Sequence, residues 1–103
     1  ILFTFPFAGQ QIIDKTSNDN VIVKSIDLSD MLSVRQFAED INSTEPRLDV
    51  LIHNAGVVFP GKLTTDQGLD MTFATNHFGP FLLTNLLMKV TVNCLHPGLV
   101  CTS

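Results

Sequence analysis

Residues that could bind a ligand or take part in a reaction occur in this chain where predicted strands end. Asp27 follows the β-branched segment Val21–Ile26, and an Asn-Ala-Gly triplet follows the apolar segment Leu48–His53. Short runs of β-branched and apolar residues that end in turn residues are typical of buried strands. Ligands of open parallel sheets bind beyond the carboxyl ends of the strands. We therefore predict a binding site that is formed by the residues at these ends.

A third strand is predicted over Val90–Leu95 and is closed by His96, Pro97 and Gly98. Proline and glycine together favour a fixed turn at the end of a strand. Glycine also has no β-carbon, so the backbone can approach a ligand closely at such a position. These residues are expected at the same edge of the sheet as the first two strand ends.

Two helices are predicted between the strands. The first covers residues 30–42, where apolar residues at i, i+3, i+4 and i+7 form one face, and Ser29 or Asp30 suits its N-cap. The second covers Gln67–Lys89 and contains Gly79-Pro80, which predicts a bend. It also carries Asn76 in its interior, an unfavourable place for asparagine on helix propensity.

The predicted order is strand, helix, strand, helix, strand, and this alternation favours an α/β fold with a parallel sheet. Residues 9–17 could add one short helix, and residues 1–8 match no template. The second helix and third strand adjoin at Lys89-Val90, where no residues remain for a turn. Either the helix ends early, near Asn85, or a segment is absent between the two elements.

Composition narrows the classes of function. The chain is 45% hydrophobic and 16% charged, which argues against disorder, and its six Lys and Arg residues form no basic stripe for a nucleic acid. No apolar stretch is long enough to span a bilayer and no secretory signal is apparent, so an intracellular location is expected. The two cysteines and three histidines lack the spacing of metal ligands. No metal site is predicted.

Four segments in this order resemble short-chain dehydrogenases/reductases, and most closely their retinol-dehydrogenase branch. The first is Asp27-Leu28-Ser29 after a strand. The second is the strand end with His53 in place of the first asparagine of an Asn-Asn-Ala-Gly motif. The third is Asn-His-Phe-Gly from Asn76, followed by Phe-Leu-Leu-Thr, and the fourth is the run from Val92 to Gly98 with Thr102. Each motif alone is weak, and the ordered set carries the resemblance.

The resemblance implies an incomplete Rossmann-like fold, a doubly wound parallel sheet in a three-layer sandwich, with about three strands and two to three helices. Residues 1–103 would form part of one NAD(P)-binding domain, with residues 1–8 unassigned. It implies NADP or NAD as cofactor and a small lipophilic alcohol or carbonyl compound, such as retinol or retinal, as substrate. It also implies a cytoplasmic or endoplasmic-reticulum location. The implied cofactor-binding residues are Asp27, Leu28, Asn54, Ala55, Gly56, Pro97, Gly98 and Thr102.

Among catalytic residues, the resemblance implies Asn76, which in the family bends its helix and holds a water molecule of a proton relay. Plainer interpretations stand beside these roles. Asp27 could be a turn or cap residue, and the Asn-Ala-Gly triplet could be a simple turn. Asn76 could be a polar residue that is bonded to the backbone, and the leucine pairs at 82–83 and 86–87 could be core or a subunit-packing face.

Residues that the family reaction requires are missing. The chain has no tyrosine, so the family's Tyr-x-x-x-Lys acid/base pair is absent, as is its glycine-rich phosphate loop. The predicted strands correspond to the third, fourth and sixth of a seven-stranded sheet, in which none of these three are neighbours. Unpaired buried strands would be unstable, so we expect a smaller rearranged sheet. We also expect a chain that is inactive alone, or alternatively a non-catalytic remnant that serves as an interaction module.

Overall fold

The computed structural model describes the backbone of residues 6–87 and 93–95 and the side chains of residues 10–87. The described helices and strands, in chain order, are α1 (Pro6–Thr16), α2 (Met31–Thr44), β1 (Val50–Ile52), α3 (Met71–Phe73), a π-helical turn (Ala74–Phe78), α4 (Gly79–Leu87) and β2 (Asn93–Leu95). The short helix predicted as possible over residues 9–17 is present as α1. It begins earlier, at Pro6, because proline fits the first turn of a helix, where no N–H is needed.

Helix α2 begins at Met31 because Asp30 caps it, and the Asp30 Oδ1 atom accepts the Leu32 N–H at 3.0 Å. This confirms Asp30 as the cap. The predicted apolar face is also confirmed, since Val34 and Ala38 are buried and Phe37 packs against them. The helix ends at Thr44, two residues before a proline that disfavours helical backbone in the residue ahead of it.

Residues 71–87 form one helix with a wider turn in its middle. It begins at Met71, four residues later than predicted, because Gly68 has a φ of +82° that a helix cannot contain. Asp70 caps it by accepting the Phe73 N–H at 3.0 Å. The bend predicted at Gly79-Pro80 takes the form of the π-helical turn directly before α4. An α-helical ladder would need an N–H on Pro80, and proline has none.

The described sheet consists of two parallel strands, β1 and β2, with Leu51 opposite Cys94. β1 and β2 lie within the predicted strands Leu48–His53 and Val90–Leu95. By the family resemblance these correspond to the fourth and sixth strands of the family sheet, which are not neighbours there. The structure pairs them directly. Direct pairing satisfies backbone groups that separated strands would leave without partners, and it makes the sheet smaller than in the family.

The strand predicted over Val21–Ile26 is wrong, because residues 17–26 form no regular element. Ile22 and Val23 are 72% and 51% exposed. A β-branched sequence favours a strand only where a neighbouring strand and a buried face are available. This segment therefore follows its surroundings rather than its propensity.

The core lies between α2 and α4. Its buried residues come from the turn before α2, from α2 itself and from α4: Leu28, Val34, Ala38, Leu83 and Leu87. Leu82 and Leu86 pack against this cluster, so the leucine pairs of α4 are core residues. The Asn42 Nδ2 atom donates to the Leu86 carbonyl at 3.1 Å and joins the far ends of the two helices.

Candidate functional site

Asp27 forms a tight turn with Ser29. Its Oδ1 atom accepts the Ser29 backbone N–H at 3.0 Å and the Ser29 hydroxyl at 2.7 Å, while its own N–H donates to Ser33 Oγ at 2.9 Å. Partial burial raises the pKa of the Asp27 carboxyl, but hydrogen bonds, including those from Ser29, lower it by more, and the net pKa lies below the ordinary value. Asp27 therefore lies in a turn, as the plainer interpretation expects, and its carboxylate is held as a hydrogen-bond acceptor.

The same turn lies directly on the long helix, at Gly79. A β-carbon on this glycine would be 2.0 Å from the Leu28 carbonyl oxygen and 2.9 Å from the Leu28 carbonyl carbon. Only glycine permits this approach, because no real β-carbon tolerates a backbone contact of that length. Gly79 thus places the Asp27-Leu28 turn against the helix that carries Asn76. The sequence places Gly79 in the predicted bend and in the Asn-His-Phe-Gly motif, and neither predicts this contact.

The Asn-Ala-Gly triplet is exposed at the carboxyl end of β1. Asn54, Ala55 and Gly56 are all classed as exposed, whereas His53 before them is buried. A β-carbon on Gly56 would meet nothing closer than Asn76 Oδ1, at 4.0 Å. The triplet therefore offers accessible backbone to a ligand, and it lies beside Asn76.

Asn76 holds the residue that follows the triplet. Its Oδ1 atom accepts the Val57 N–H at 2.8 Å, and its Nδ2 atom donates to the Val57 carbonyl at 2.6 Å. Both ends of one side-chain amide thus bind both polar groups of one backbone residue. The interpretation of Asn76 as a backbone-bonded residue is correct for the side chain. Its place in the π-helical turn agrees with the bend that the resemblance implied.

Two threonines of the same helix extend this pattern. Thr72 Oγ1 accepts the Phe59 N–H at 3.2 Å, and Thr84 Oγ1 lies 2.7 Å from His53 Nε2. Going up the helix, Thr72, Asn76 and Thr84 contact residues 59, 57 and 53 in turn. The helix and the segment after β1 therefore run in opposite directions. Neither threonine was predicted as a site residue, and only the spacing of four between Thr72 and Asn76 hinted at a shared face.

The π-helical turn brings these three side chains to one face. At about 100° per residue, Thr72 and Thr84 would point about 120° apart in an uninterrupted α-helix. One extra residue in a single wider turn reduces that angle to about 20°. Ala74–Phe78 is such a turn and lies between the two threonines. It therefore aligns the contacts of the helix with the segment after β1.

A shallow cleft of about 220 Å³ adjoins the Asp27 turn. It is lined by Asp27, Ser29, Asp30, Thr64, Thr65, Asp66, Gln67 and Met71. Gln67 bridges its two sides, since its Nε2 atom donates to Asp30 Oδ1 at 2.7 Å and its Oε1 atom accepts the Met31 N–H at 3.3 Å. The cleft therefore has mostly polar walls, with carboxylates on both sides.

Other predicted site residues lie outside the described part of the chain. These are Pro97, Gly98 and Thr102. Among the side chains of residues 10–87 there is no group of three or more His, Cys, Asp or Glu that could hold a metal ion. No helix in the described part of the chain combines the length and apolar character needed to cross a membrane.

Comparison with known proteins matches the chain to one family. The model of the family described as short chain dehydrogenase matches residues 7–92. Human retinol dehydrogenase 13 is 44% identical over 81 residues, which cover 79% of this chain and 24% of that protein. Mouse retinol dehydrogenase 14 is 47% identical over 72 residues, which cover 70% and 22%. The chain thus spans about a quarter of the length of these curated relatives.

Solved structures give the same assignment. A short-chain dehydrogenase from Streptomyces avermitilis matches 81% of this chain with a TM-score of 0.61 and 29% identity, over 31% of that structure. A metagenomic short-chain oxidoreductase that was solved in complex with NADP matches 82% of this chain with a TM-score of 0.64 and 26% identity, over 38% of that structure. The described residues therefore adopt part of a Rossmann-like α/β fold.

Proposed function

Because this chain belongs to the short-chain dehydrogenase family, we propose that it forms part of an NAD(P)-dependent oxidoreductase that interconverts an alcohol and a carbonyl group. The retinol dehydrogenases among its relatives support a small lipophilic substrate such as retinol or retinal. The observation that carries the proposal is the double hydrogen bond between Asn76 and Val57. It holds the exposed triplet beside the helix residue to which the family resemblance gives a catalytic role.

The described residues fit the adenosine end of the cofactor. The Asp27 carboxylate and the Leu28 backbone would bind the adenine, whose amino group is a hydrogen-bond donor. The exposed backbone of Asn54, Ala55 and Gly56 would lie along the cofactor at the end of β1. At the nicotinamide end, the residues proposed are Pro97, Gly98 and Thr102. Bound cofactor would supply or accept the hydride. We propose residues 1–103 as part of one NAD(P)-binding domain in a cytoplasmic or endoplasmic-reticulum-associated protein.

These 103 residues do not complete the reaction by themselves. Reduction of a carbonyl needs a proton donor with a pKa near the working pH, and the family uses a tyrosine, which this sequence does not contain. The glycine-rich loop that would bind the pyrophosphate through backbone N–H groups is also missing from it. Asn76 is proposed to position a water molecule of the proton relay in a chain that supplies both missing parts.

Sequencing of the full transcript around this segment tests the proposal. We expect the neighbouring sequence to encode a glycine-rich loop and a Tyr-x-x-x-Lys pair, and the longer protein to oxidise or reduce a retinoid with NAD(P). A transcript that encodes neither would contradict this proposal. In a fluorescence titration, we expect NADPH to show no measurable affinity for the 103-residue chain and clear binding to the longer protein.

A second function of another class is that the chain is a non-catalytic remnant that binds a partner protein. The direct pairing of β1 with β2 favours it, because a sheet without the intervening family strand can form. The exposed rings of Phe73, Phe78 and Phe81, with His77 between them, would supply an apolar contact surface. Catalytic turnover by the purified chain would exclude this alternative.

A further inference from the structure

The residue before the exposed triplet contacts a side chain of α4. His53 is only 8% exposed, and its Nε2 atom lies 2.7 Å from the Thr84 hydroxyl oxygen in α4. This hydroxyl also donates to the Pro80 carbonyl at 2.8 Å. A hydroxyl carries one hydrogen, so with that hydrogen on Pro80 it accepts from His53. The contact therefore places a hydrogen on the His53 Nε2 atom.

We propose that His53 is a positioning residue for the Asn54–Gly56 triplet, which it anchors to α4 through Thr84. The triplet begins directly after His53 and ends directly before Val57, the residue that Asn76 holds. Three exposed residues are thus fixed at both ends by one helix. A segment held in this way loses less conformational freedom when a ligand binds, which strengthens binding. The role in cofactor binding rests on the function proposed above, whereas the anchoring itself does not.

The geometry also explains why histidine serves here. The family resemblance places an asparagine at residue 53, and an asparagine amide ends where the imidazole Nδ1 atom lies. Only a longer side chain brings an N–H to the Nε2 position and so to Thr84. Glutamine has that length and carries an amide donor. His53→Gln is therefore the conservative variant, and His53→Leu fills similar space without any donor.

The test uses the 103-residue chain without cofactor. We expect ¹⁵N NMR to show the His53 ring with hydrogen on Nε2. We expect Thr84→Val to increase amide hydrogen exchange of Val57, whose N–H donates to Asn76, about tenfold relative to Ala38 in the core. A tenfold change is what the loss of one buried hydrogen bond represents. His53→Leu should increase the exchange by a similar factor. The double variant that combines it with Thr84→Val should exchange little faster than either single variant. His53→Gln and Thr84→Ser should restore most of the protection.

Thr75→Val is the matched control, because Thr75 makes the same kind of hydrogen bond, to the Met71 carbonyl four residues before it, without contacting His53. It should change exchange at Ala38 and Val57 by the same factor. The proposal is overturned if the His53 hydrogen is on Nδ1, if Val57 is unprotected in the parent chain, or if Thr84→Val acts like Thr75→Val. Failure of the longer protein to bind NADPH would instead contradict the proposed function and leave these exchange results unchanged.

Discussion

The Leu28 carbonyl oxygen lies so close to Gly79 that a β-carbon on this glycine would be only 2.0 Å from it. This contact joins the turn that holds Asp27 to the helix that holds Asn76. Since both groups of the contact belong to the backbone, neither can move aside without displacing a whole element. The relative placement of the two parts of the candidate site therefore depends on a residue without a side chain.

We expect Gly79→Ala to destabilise the chain by about 2 kcal/mol, the usual cost of overpacking a tight contact, even though alanine favours helices more than glycine does. Urea denaturation followed by circular dichroism measures this. Gly56→Ala is the matched control, because a β-carbon there has 4.0 Å of space. Its effect on stability should stay within about 0.5 kcal/mol. Equal effects of the two substitutions would contradict the close approach.

We expect Asn76→Asp to destabilise the chain by about 2 kcal/mol at about pH 7, because an ionised carboxylate cannot donate to the Val57 carbonyl. Only the protonated acid can donate there, so the folded-state pKa lies above the unfolded value of about 3.9. The loss of stability relative to the parent chain is therefore complete above the folded-state pKa and disappears below the unfolded-state pKa. The stability difference from the parent chain should therefore shrink towards about pH 4.

Asn85→Asp is the control for this pH dependence. Asn85 lies on α4, and its amide donates to the Phe81 carbonyl four residues before it, at 2.8 Å, in an exposed hydrogen bond. At an exposed site water can replace the lost donor. The difference in stability between this variant and the parent chain should therefore be nearly the same at about pH 7 and at about pH 4. If both aspartate variants followed the same pH profile, the specific contact between Asn76 and Val57 would not explain the effect.

We expect Asp30→Ala to cost about 1 kcal/mol, because Asp30 caps α2 and capping residues contribute about that much. The same substitution should loosen the loop that Gln67 belongs to, since Gln67 Nε2 donates to Asp30 Oδ1. Thermal unfolding and amide exchange at Gln67 measure the two effects. Asp49→Ala, which removes an exposed ion pair with Arg47, should cost less than about 0.5 kcal/mol.

The sequence predicted those features that local periodicity and capping determine. The apolar face of α2 and the cap Asp30 follow from helical spacing and side-chain chemistry alone. Val21–Ile26 shows the limit, because its β propensity has no effect without a partner strand. The contact between His53 and Thr84 and the direct pairing of β1 with β2 depend on residues distant in sequence. No local pattern specifies such contacts.

The most direct test of the account is a steady-state assay of the purified 103-residue chain with NADPH and all-trans-retinal. The account predicts no retinal reduction above the rate without protein, because the sequence contains no tyrosine to donate the proton. Sustained reduction of retinal that requires both NADPH and the chain would contradict it.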